Sequence, residues 1–201
     1  MQLIVITDAE MLFDEAKKIN HLFDSGLELL HVRKPEVDVD EIRELLLKIH
    51  PIHLGKIVVH EFHELAIEFR LKGIHVKENL KRDLQDKLKS YIRGFRDKGF
   101  TISASFHSKE DLVNNKVKYD YTFLSPVFDS ISKENHEGKQ FNVNGLSNNI
   151  VALGGVTASN ILKAKELGYS GIASIGSIWN SENPVTSFLA LKTASSQLVF
   201  K

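Results

Sequence analysis

Short apolar runs alternate with amphipathic, helix-like patterns along the chain. This alternation limits the number of folds that the chain can adopt. Each run reads as a buried parallel strand, and a spacing of three to four residues between the apolar positions that follow predicts a helix. The predicted strands are 3–6, 27–32, 56–60, 73–76, 101–105, 121–124, 149–153 and 171–175. Eight alternations favour a compact α/β architecture, the closed (β/α)8 TIM barrel, over an open doubly wound sheet. The length of 201 residues lies at the small end for this barrel and predicts one domain over residues 1–201.

The sixth unit departs from the pattern. Between Phe128 and Ile150 there is no apolar stripe long enough for a helix. We therefore predict a reduced or missing sixth helix. The surface over strands six and seven would be covered by local apolar residues or by a second subunit, which makes a homodimer one possibility.

Charge and residue usage exclude several classes of protein. Lys plus Arg and Asp plus Glu number 26 each, so overall charge gives no argument for nucleic acid or an anionic membrane surface. The absence of cysteine excludes disulfides and thiol nucleophiles. No apolar stretch is long enough for a membrane span, and the N-terminus has no basic leader pattern. We expect a cytoplasmic protein with neither nucleic acid nor membrane as a partner.

Two glycine turns follow the last two predicted strands. Gly154-Gly155 follows the seventh strand and Gly176-Ser177 follows the eighth. Glycine lets backbone N–H groups approach a ligand closely, and a helix start adds free donors. A lone glycine pair is equally consistent with a tight turn, but phosphate often binds after these two strands of a barrel. The pair of turns therefore predicts a phosphate site.

Polar side chains collect at the carboxyl ends of the predicted strands, where barrel enzymes carry their catalytic groups. Arg33 and Lys34 follow the second strand directly, and Lys133 lies in the loop after the sixth. These cations and the glycine turns indicate small-molecule substrates that carry phosphate or pyrophosphate. His75 and His107 lie at strand ends too. Taken singly they are more typical of core or supporting positions, and they form no regular zinc motif.

The chain resembles the thiamine phosphate synthase (thiamine-phosphate pyrophosphorylase) family, which includes the related thiazole tautomerase. The similarity extends over essentially the whole chain and depends on the order and strand placement of several short segments. These are the segments at 4–8, 31–34, 73–76, 105–108, 125–133, 152–156 and 171–173.

The resemblance implies a transferase of thiamine biosynthesis that joins an aminopyrimidine methyl diphosphate to a thiazole phosphate. Pyrophosphate leaves first, and the thiazole nitrogen captures the pyrimidine cation; Mg²⁺ assists as cofactor. Transferred to this sequence, the diphosphate side of the site comprises Arg33, Lys34, Ser105 and Lys133. The thiazole phosphate side comprises Ser130, Ser132, Gly154, Gly155, Gly176 and Ser177. The implied metal ligands are Glu61, Glu78 and Asn79.

Departures from the family pattern concentrate on the diphosphate and metal side. His60-Glu61 stands where synthases usually have Asn-Asp, and Lys77-Glu78-Asn79 stands where they have a run with a second metal carboxylate. One alternative is therefore a tautomerase with His75 or His107 as its acid or base. A second is a barrel that binds a phosphorylated ligand without turnover. We favour the synthase because more of its motifs are retained.

Overall fold

The computed structural model describes residues 1–129, 138–146 and 149–197. Eight parallel strands close into a barrel in sequence order, with β8 paired to β1. The strands are β1 (Gln2–Ile6), β2 (Leu30–Val32), β3 (Ile57–Val59), β4 (Gly73–Val76), β5 (Thr101–Phe106), β6 (Tyr121–Leu124), β7 (Ile150–Leu153) and β8 (Gly171–Ser174). The predicted (β/α)8 barrel is confirmed.

Helices lie between the strands around the barrel. They are α1 (Glu15–Asp24), α2 (Val39–Leu47), α3 (Pro51–Leu54), α4 (Glu64–Glu68), α5 (Glu78–Leu84), α6 (Leu88–Arg96), α7 (Lys109–Asn114), α8 (Ile161–Glu166), α9 (Gly176–Trp179) and α10 (Pro184–Gln197). The short helices α3 and α9 were not predicted. A 3-10 turn separates α5 from α6, where the sequence predicts one charged helix, because Gln85 adopts a left-handed φ of 42°.

Each strand presents alternate residues to two different cores. Val5 and the other strand residues that point outwards pack against the helices. Ile4, Ile6 and Phe123 point inwards and fill the barrel interior. Several inward positions are polar instead. His31, on β2, is fully buried among them. This alternation places a polar layer beneath the carboxyl ends of the strands.

The second strand is shorter than predicted because the first residues of the predicted segment, 27–29, follow directly on the end of α1 instead of joining the sheet. Gly26 has a φ of +93°, and the amide of Leu27 donates to the carbonyl of Leu22. A glycine in the left-handed region commonly ends a helix in this way. The apolar run at 27–32 therefore combines a helix terminus with the strand that begins at Leu30.

The described part of the sixth unit agrees with the prediction of a reduced or missing helix. Between β6 and β7, the parts that the structure describes contain no helix. Val143 is buried there, and Phe141 and Leu146 pack partly buried against the outer core. These local apolar residues cover part of the surface that a sixth helix would otherwise cover. In the described ranges, no helix has the length and apolar character needed to cross a membrane.

Candidate active site

A cleft of about 730 Å³ opens at the carboxyl ends of the strands. Most of the predicted site residues in the described part of the chain line it. These are Arg33, His75, Glu78, Asn79, Ser105, His107, Gly154, Gly155, Gly176 and Ser177. The barrel topology thus brings residues from opposite halves of the sequence to one cavity, which is the usual place of a barrel active site.

Three predicted residues lie outside the described ranges. They are Ser130, Ser132 and Lys133, which follow β6 in the sequence. Their roles stay predictions.

Hydrogen bonds to Thr7 hold the backbone of Arg33 in place, and the guanidinium is left to bind a ligand. The amide of Arg33 donates to Thr7 Oγ1 at 2.9 Å, and the Thr7 hydroxyl donates back to the carbonyl of Arg33. The guanidinium lines the cleft and has no hydrogen bond or ion pair with any residue in the described ranges. A guanidinium with free donors suits bidentate binding of a phosphate.

Lys34 does not line the cleft, although the resemblance places it on the diphosphate side of the site. Its side chain is fully buried, and Nζ lies 2.7 Å from Glu15 Oε1 and Oε2 and 2.5 Å from the carbonyl of Glu10. Both members of this ion pair are almost completely removed from solvent. Because its ammonium already has three acceptors, Lys34 contributes to the packing of α1 rather than to the lining of the cleft.

The glycine turn after β7 requires glycine at both positions. Gly154 has a φ of +96° and Gly155 a φ of +64°, both in the left-handed region. A Cβ on Gly155 would lie 2.1 Å from the carbonyl oxygen of Asp129. The turn is therefore held tightly against the segment that follows β6. The amide of Gly155 donates no hydrogen bond within the described residues.

The turn after β8 presents a second set of amides. Gly176 and Ser177 begin α9, so their N–H groups precede the first intrahelical bonds. The Ser177 hydroxyl donates to the carbonyl of Val156 at 2.9 Å and also contacts Ser174 Oγ. These contacts tie the two turns together. The backbone amides, rather than the Ser177 hydroxyl, remain available to an anion.

A buried histidine network forms the floor of the cleft. His31 Nδ1 lies 2.8 Å from His60 Nε2, and His31 Nε2 lies 2.6 Å from the Tyr121 hydroxyl. Burial lowers the pKa of His31 to about 3. Burial also lowers the pKa values of His60 and His75 well below their usual range, with smaller contributions from neighbouring charges. The floor is therefore neutral at physiological pH.

His75 orients the hydroxyl of Ser105. Its Nδ1 and Nε2 lie 2.8 Å from Ser103 Oγ and Ser105 Oγ, respectively. Ser103 donates to the carbonyl of Ile74 and can then accept from His75 Nδ1–H. In this tautomer, Nε2 accepts the proton of the Ser105 hydroxyl. The lone pairs of that hydroxyl are then left for a donor or cation in the cleft.

The three histidines also form a group whose ring nitrogens lie within 4.8 Å of one another. The rings of His60 and His75 are stacked 4.0 Å apart at an interplanar angle of 22°. Nearly parallel rings direct their lone pairs along parallel lines rather than towards one ion. Both ring nitrogens of His31 and His75, and Nε2 of His60, have hydrogen-bond partners, so hydrogen bonding accounts for this cluster.

The predicted metal ligands are engaged in other contacts. Glu61 Oε2 accepts the amide of Lys34 at 2.9 Å, and Glu61 Oε1 lies 2.9 Å from Lys77 Nζ. Glu78 is paired with Lys81 at 3.3 Å, and Asn79 Oδ1 accepts the amide of the next residue. These residues do not fit the oxygen-rich octahedral shell that Mg²⁺ requires.

Lys77 lines the cleft directly after β4. The sequence places this lysine at a strand end, beside the implied metal ligands, but it was not among the assigned site residues. His60 and Tyr121 were missed for a different reason. A histidine or tyrosine inside an apolar run is most often a core residue, and their contact through His31 depends on the closed barrel.

Known proteins with similar sequences and structures point to one family. The family model described as thiamine monophosphate synthase (TMP-TENI) matches residues 3–178. A crystal structure of thiamine phosphate pyrophosphorylase from Bacteroides thetaiotaomicron is 30% identical, with a TM-score of 0.75 and 98% coverage of each chain.

Curated relatives agree with this result. Thiamine-phosphate synthase of Haemophilus influenzae (strain PittEE) is 30% identical over 150 residues, covering 70% of this chain and 63% of the relative. The chain thus spans less than two thirds of that relative's length. The enzyme of the same name from Desulfitobacterium hafniense (strain Y51) is 25% identical over 177 residues, which cover 83% and 82% of the two chains. The chain belongs to the thiamine monophosphate synthase family.

Proposed function

We propose that this protein forms thiamine phosphate from an aminopyrimidine methyl diphosphate and a thiazole phosphate, with release of pyrophosphate. The observation that carries the proposal is the pairing of two anion-binding elements in one cleft. Within the described residues, the guanidinium of Arg33 and the backbone amides at Gly155 and Gly176 have no hydrogen-bond partner. Two phosphorylated substrates require two such elements.

The proposed reaction is a substitution at the methylene carbon of the pyrimidine. The carbon–oxygen bond breaks, and its electron pair leaves with pyrophosphate. The lone pair of the thiazole nitrogen then forms the new carbon–nitrogen bond. Arg33 would bind the leaving group and stabilise the negative charge that develops on it. The glycine turns would hold the thiazole phosphate and so orient the ring nitrogen towards the cation.

The floor of the cleft would protect the cation from side reactions. His60 and His75 are buried, and Nε2 of His60 and both ring nitrogens of His75 are hydrogen bonded to neighbouring side chains. Ser105 would place its lone pairs towards the pyrimidine side. The resemblance further assigns Lys133 to the diphosphate, and Ser130 and Ser132 to the thiazole phosphate; these three residues lie outside the described ranges.

The relatives favour the synthase over the tautomerase. The curated relatives from Haemophilus and Desulfitobacterium carry the name thiamine-phosphate synthase, and the Bacteroides structure carries the equivalent name. His107, a candidate acid or base for a tautomerase, contacts the hydroxyl and carbonyl of Ser125. No observation on its surroundings singles out proton transfer.

The proposal is tested by assaying thiamine phosphate with both substrates, in the presence and absence of Mg²⁺. Arg33→Met should lower kcat/KM by about 10- to 100-fold, because one charge-assisted contact to the leaving group is lost. It should leave thiazole phosphate binding almost unchanged. Arg93→Met, on the exposed face of α6, is the matched control. If Arg33→Met lost affinity for the diphosphate and for the thiazole phosphate equally, this division of the site would be contradicted.

A further inference from the structure

Both oxygens of the Glu61 carboxylate are already engaged by protein groups. One oxygen accepts the backbone amide of Lys34 and the other binds the ammonium of Lys77, both at 2.9 Å. The Glu61 side chain is 9% exposed, so water does not replace these partners freely. A metal ion on Oε1 would lie beside the ammonium of Lys77, and the two cations would repel each other.

The other two implied ligands do not complete a metal shell. The Glu78 side chain is 61% exposed and paired with Lys81. Asn79 uses its side-chain oxygen for an amide of its own helix. In the described ranges, the groups of three or more histidine or carboxylate donors that could hold a metal include neither Glu61 nor Glu78. The donor set therefore disagrees with the Mg²⁺ site that the resemblance implies.

Lys77 is arranged as a fixed cation in the wall of the cleft. Its side chain is 31% exposed and lines the cavity, whereas the carboxylate of Glu61 lies behind it and outside the lining. The pair is neutral overall, but only its positive member lines the cleft. In the described ranges Glu61 is the one hydrogen-bond partner of this ammonium, which leaves further N–H donors available. Arg33 adds a second cation in the same cleft.

We propose that Lys77, positioned by Glu61, acts together with Arg33 in place of a divalent cation, so that the diphosphate binds this protein without metal. The inference rests on the proposed function for the identity of the ligand. Lys77 would donate directly to the non-bridging oxygens of the diphosphate. Glu61 would act as a positioning residue that restricts the ammonium to the wall of the cleft.

The test is calorimetric titration of the full chain with inorganic pyrophosphate, in buffer with EDTA and in buffer with Mg²⁺. We expect saturable binding in EDTA. Lys77→Met should weaken this binding by about 10- to 100-fold, and Lys77→Arg should restore much of it. Lys72→Met, an exposed lysine before the opposite end of β4, should leave the affinity unchanged.

Reversing the charge at position 77 gives a sharper comparison between binding with and without Mg²⁺. Lys77→Asp places a second carboxylate beside Glu61, so pyrophosphate should bind poorly in EDTA and more tightly with Mg²⁺. Glu61→Gln keeps an acceptor for the Lys34 amide but loses the ion pair. It should weaken pyrophosphate binding and leave the melting temperature close to that of Glu68→Gln, a control that also loses an ion pair, the one with Arg43.

Two results would overturn the inference. The first is wild-type protein that binds pyrophosphate only with Mg²⁺ or under neither condition, and the second is a Lys77→Met protein with unchanged affinity. Failure of the proposed function is a separate result. In that case the protein binds pyrophosphate in EDTA but forms no thiamine phosphate from the two substrates under any metal condition.

Discussion

His31 Nδ1 and His60 Nε2 lie 2.8 Å apart beneath the cleft, and both rings are almost completely buried. The same His31 ring contacts the Tyr121 hydroxyl through its other nitrogen. A layer of hydrogen-bonded side chains therefore occupies a part of the barrel interior that apolar residues usually fill. Such a layer is stable only while its members stay neutral and paired.

Acid should destabilise the protein through this layer. In the unfolded chain these histidines take up protons near pH 6.5, whereas burial lowers their pKa in the fold, for His31 to about 3. The unfolded state therefore binds more protons, and stability that is complete above about pH 6.5 is lost as pH falls towards about 3. Each such histidine contributes about 1.4 kcal/mol per pH unit.

Urea unfolding at pH 7.5, 6.5 and 5.5 measures this dependence. His75→Gln should reduce the slope of the free energy of unfolding against pH by about one proton. A wild-type free energy of unfolding that is constant from pH 7.5 to 5.5 would contradict this view of the network.

The hydroxyl of Tyr121 should matter more than that of Tyr119. Tyr121→Phe leaves His31 Nε2 buried without a partner, at a cost of about 1–3 kcal/mol. The Tyr119 hydroxyl is buried without a hydrogen-bond partner, so Tyr119→Phe should be neutral or stabilising. Chemical denaturation of both variants at pH 7.5 provides the comparison. Equal effects would show that the His31–Tyr121 contact contributes little.

The buried pair of Lys34 and Glu15 should act as a unit. Replacing Lys34 alone by Met leaves a carboxylate buried, and we expect a loss of about 3–5 kcal/mol. Adding Glu15→Leu should recover much of that loss, because an apolar pair replaces the ion pair. If Lys34 does not contact ligand, the double variant keeps its pyrophosphate affinity. A large loss of affinity in a folded double variant would return Lys34 to the diphosphate site.

The turn after β7 should not tolerate a side chain. Gly155→Ala would bring Cβ within 2.1 Å of a backbone carbonyl and would strain a residue with positive φ. We expect a loss of stability of about 1–3 kcal/mol and weaker thiazole phosphate binding. Gly94→Ala in α6 meets nothing within 4 Å and should stabilise by about 0.5–1 kcal/mol. Comparable stability of the two variants would contradict the strain argument.

The sequence predicted the features that depend on local pattern. The eight strands, the end of β4 at Val76 and the start of the last helix at Pro184 follow from periodicity and glycine or proline positions. Pro184 is favoured in a first turn because proline lacks the amide that would be unpaired there.

The contacts between side chains that are distant in the sequence could not be predicted from local pattern. Glu15 at the start of α1 resembles any acidic residue of a first turn, and nothing in its neighbourhood indicates a lysine 19 residues away. Lys77 and Glu61 follow adjacent strands, so the barrel places them at the same edge. Their contact, which conflicts with a metal site, depends on the register and on the rotamers of the closed barrel.

The most direct test of the central claim is to follow the reaction of purified protein with both substrates by ³¹P NMR. The account predicts that thiamine phosphate and pyrophosphate appear together in a one-to-one ratio, and that Arg33→Met slows both equally. Pyrophosphate released without thiamine phosphate, or binding of thiazole phosphate with no product, would contradict the proposal that this cleft joins the two substrates.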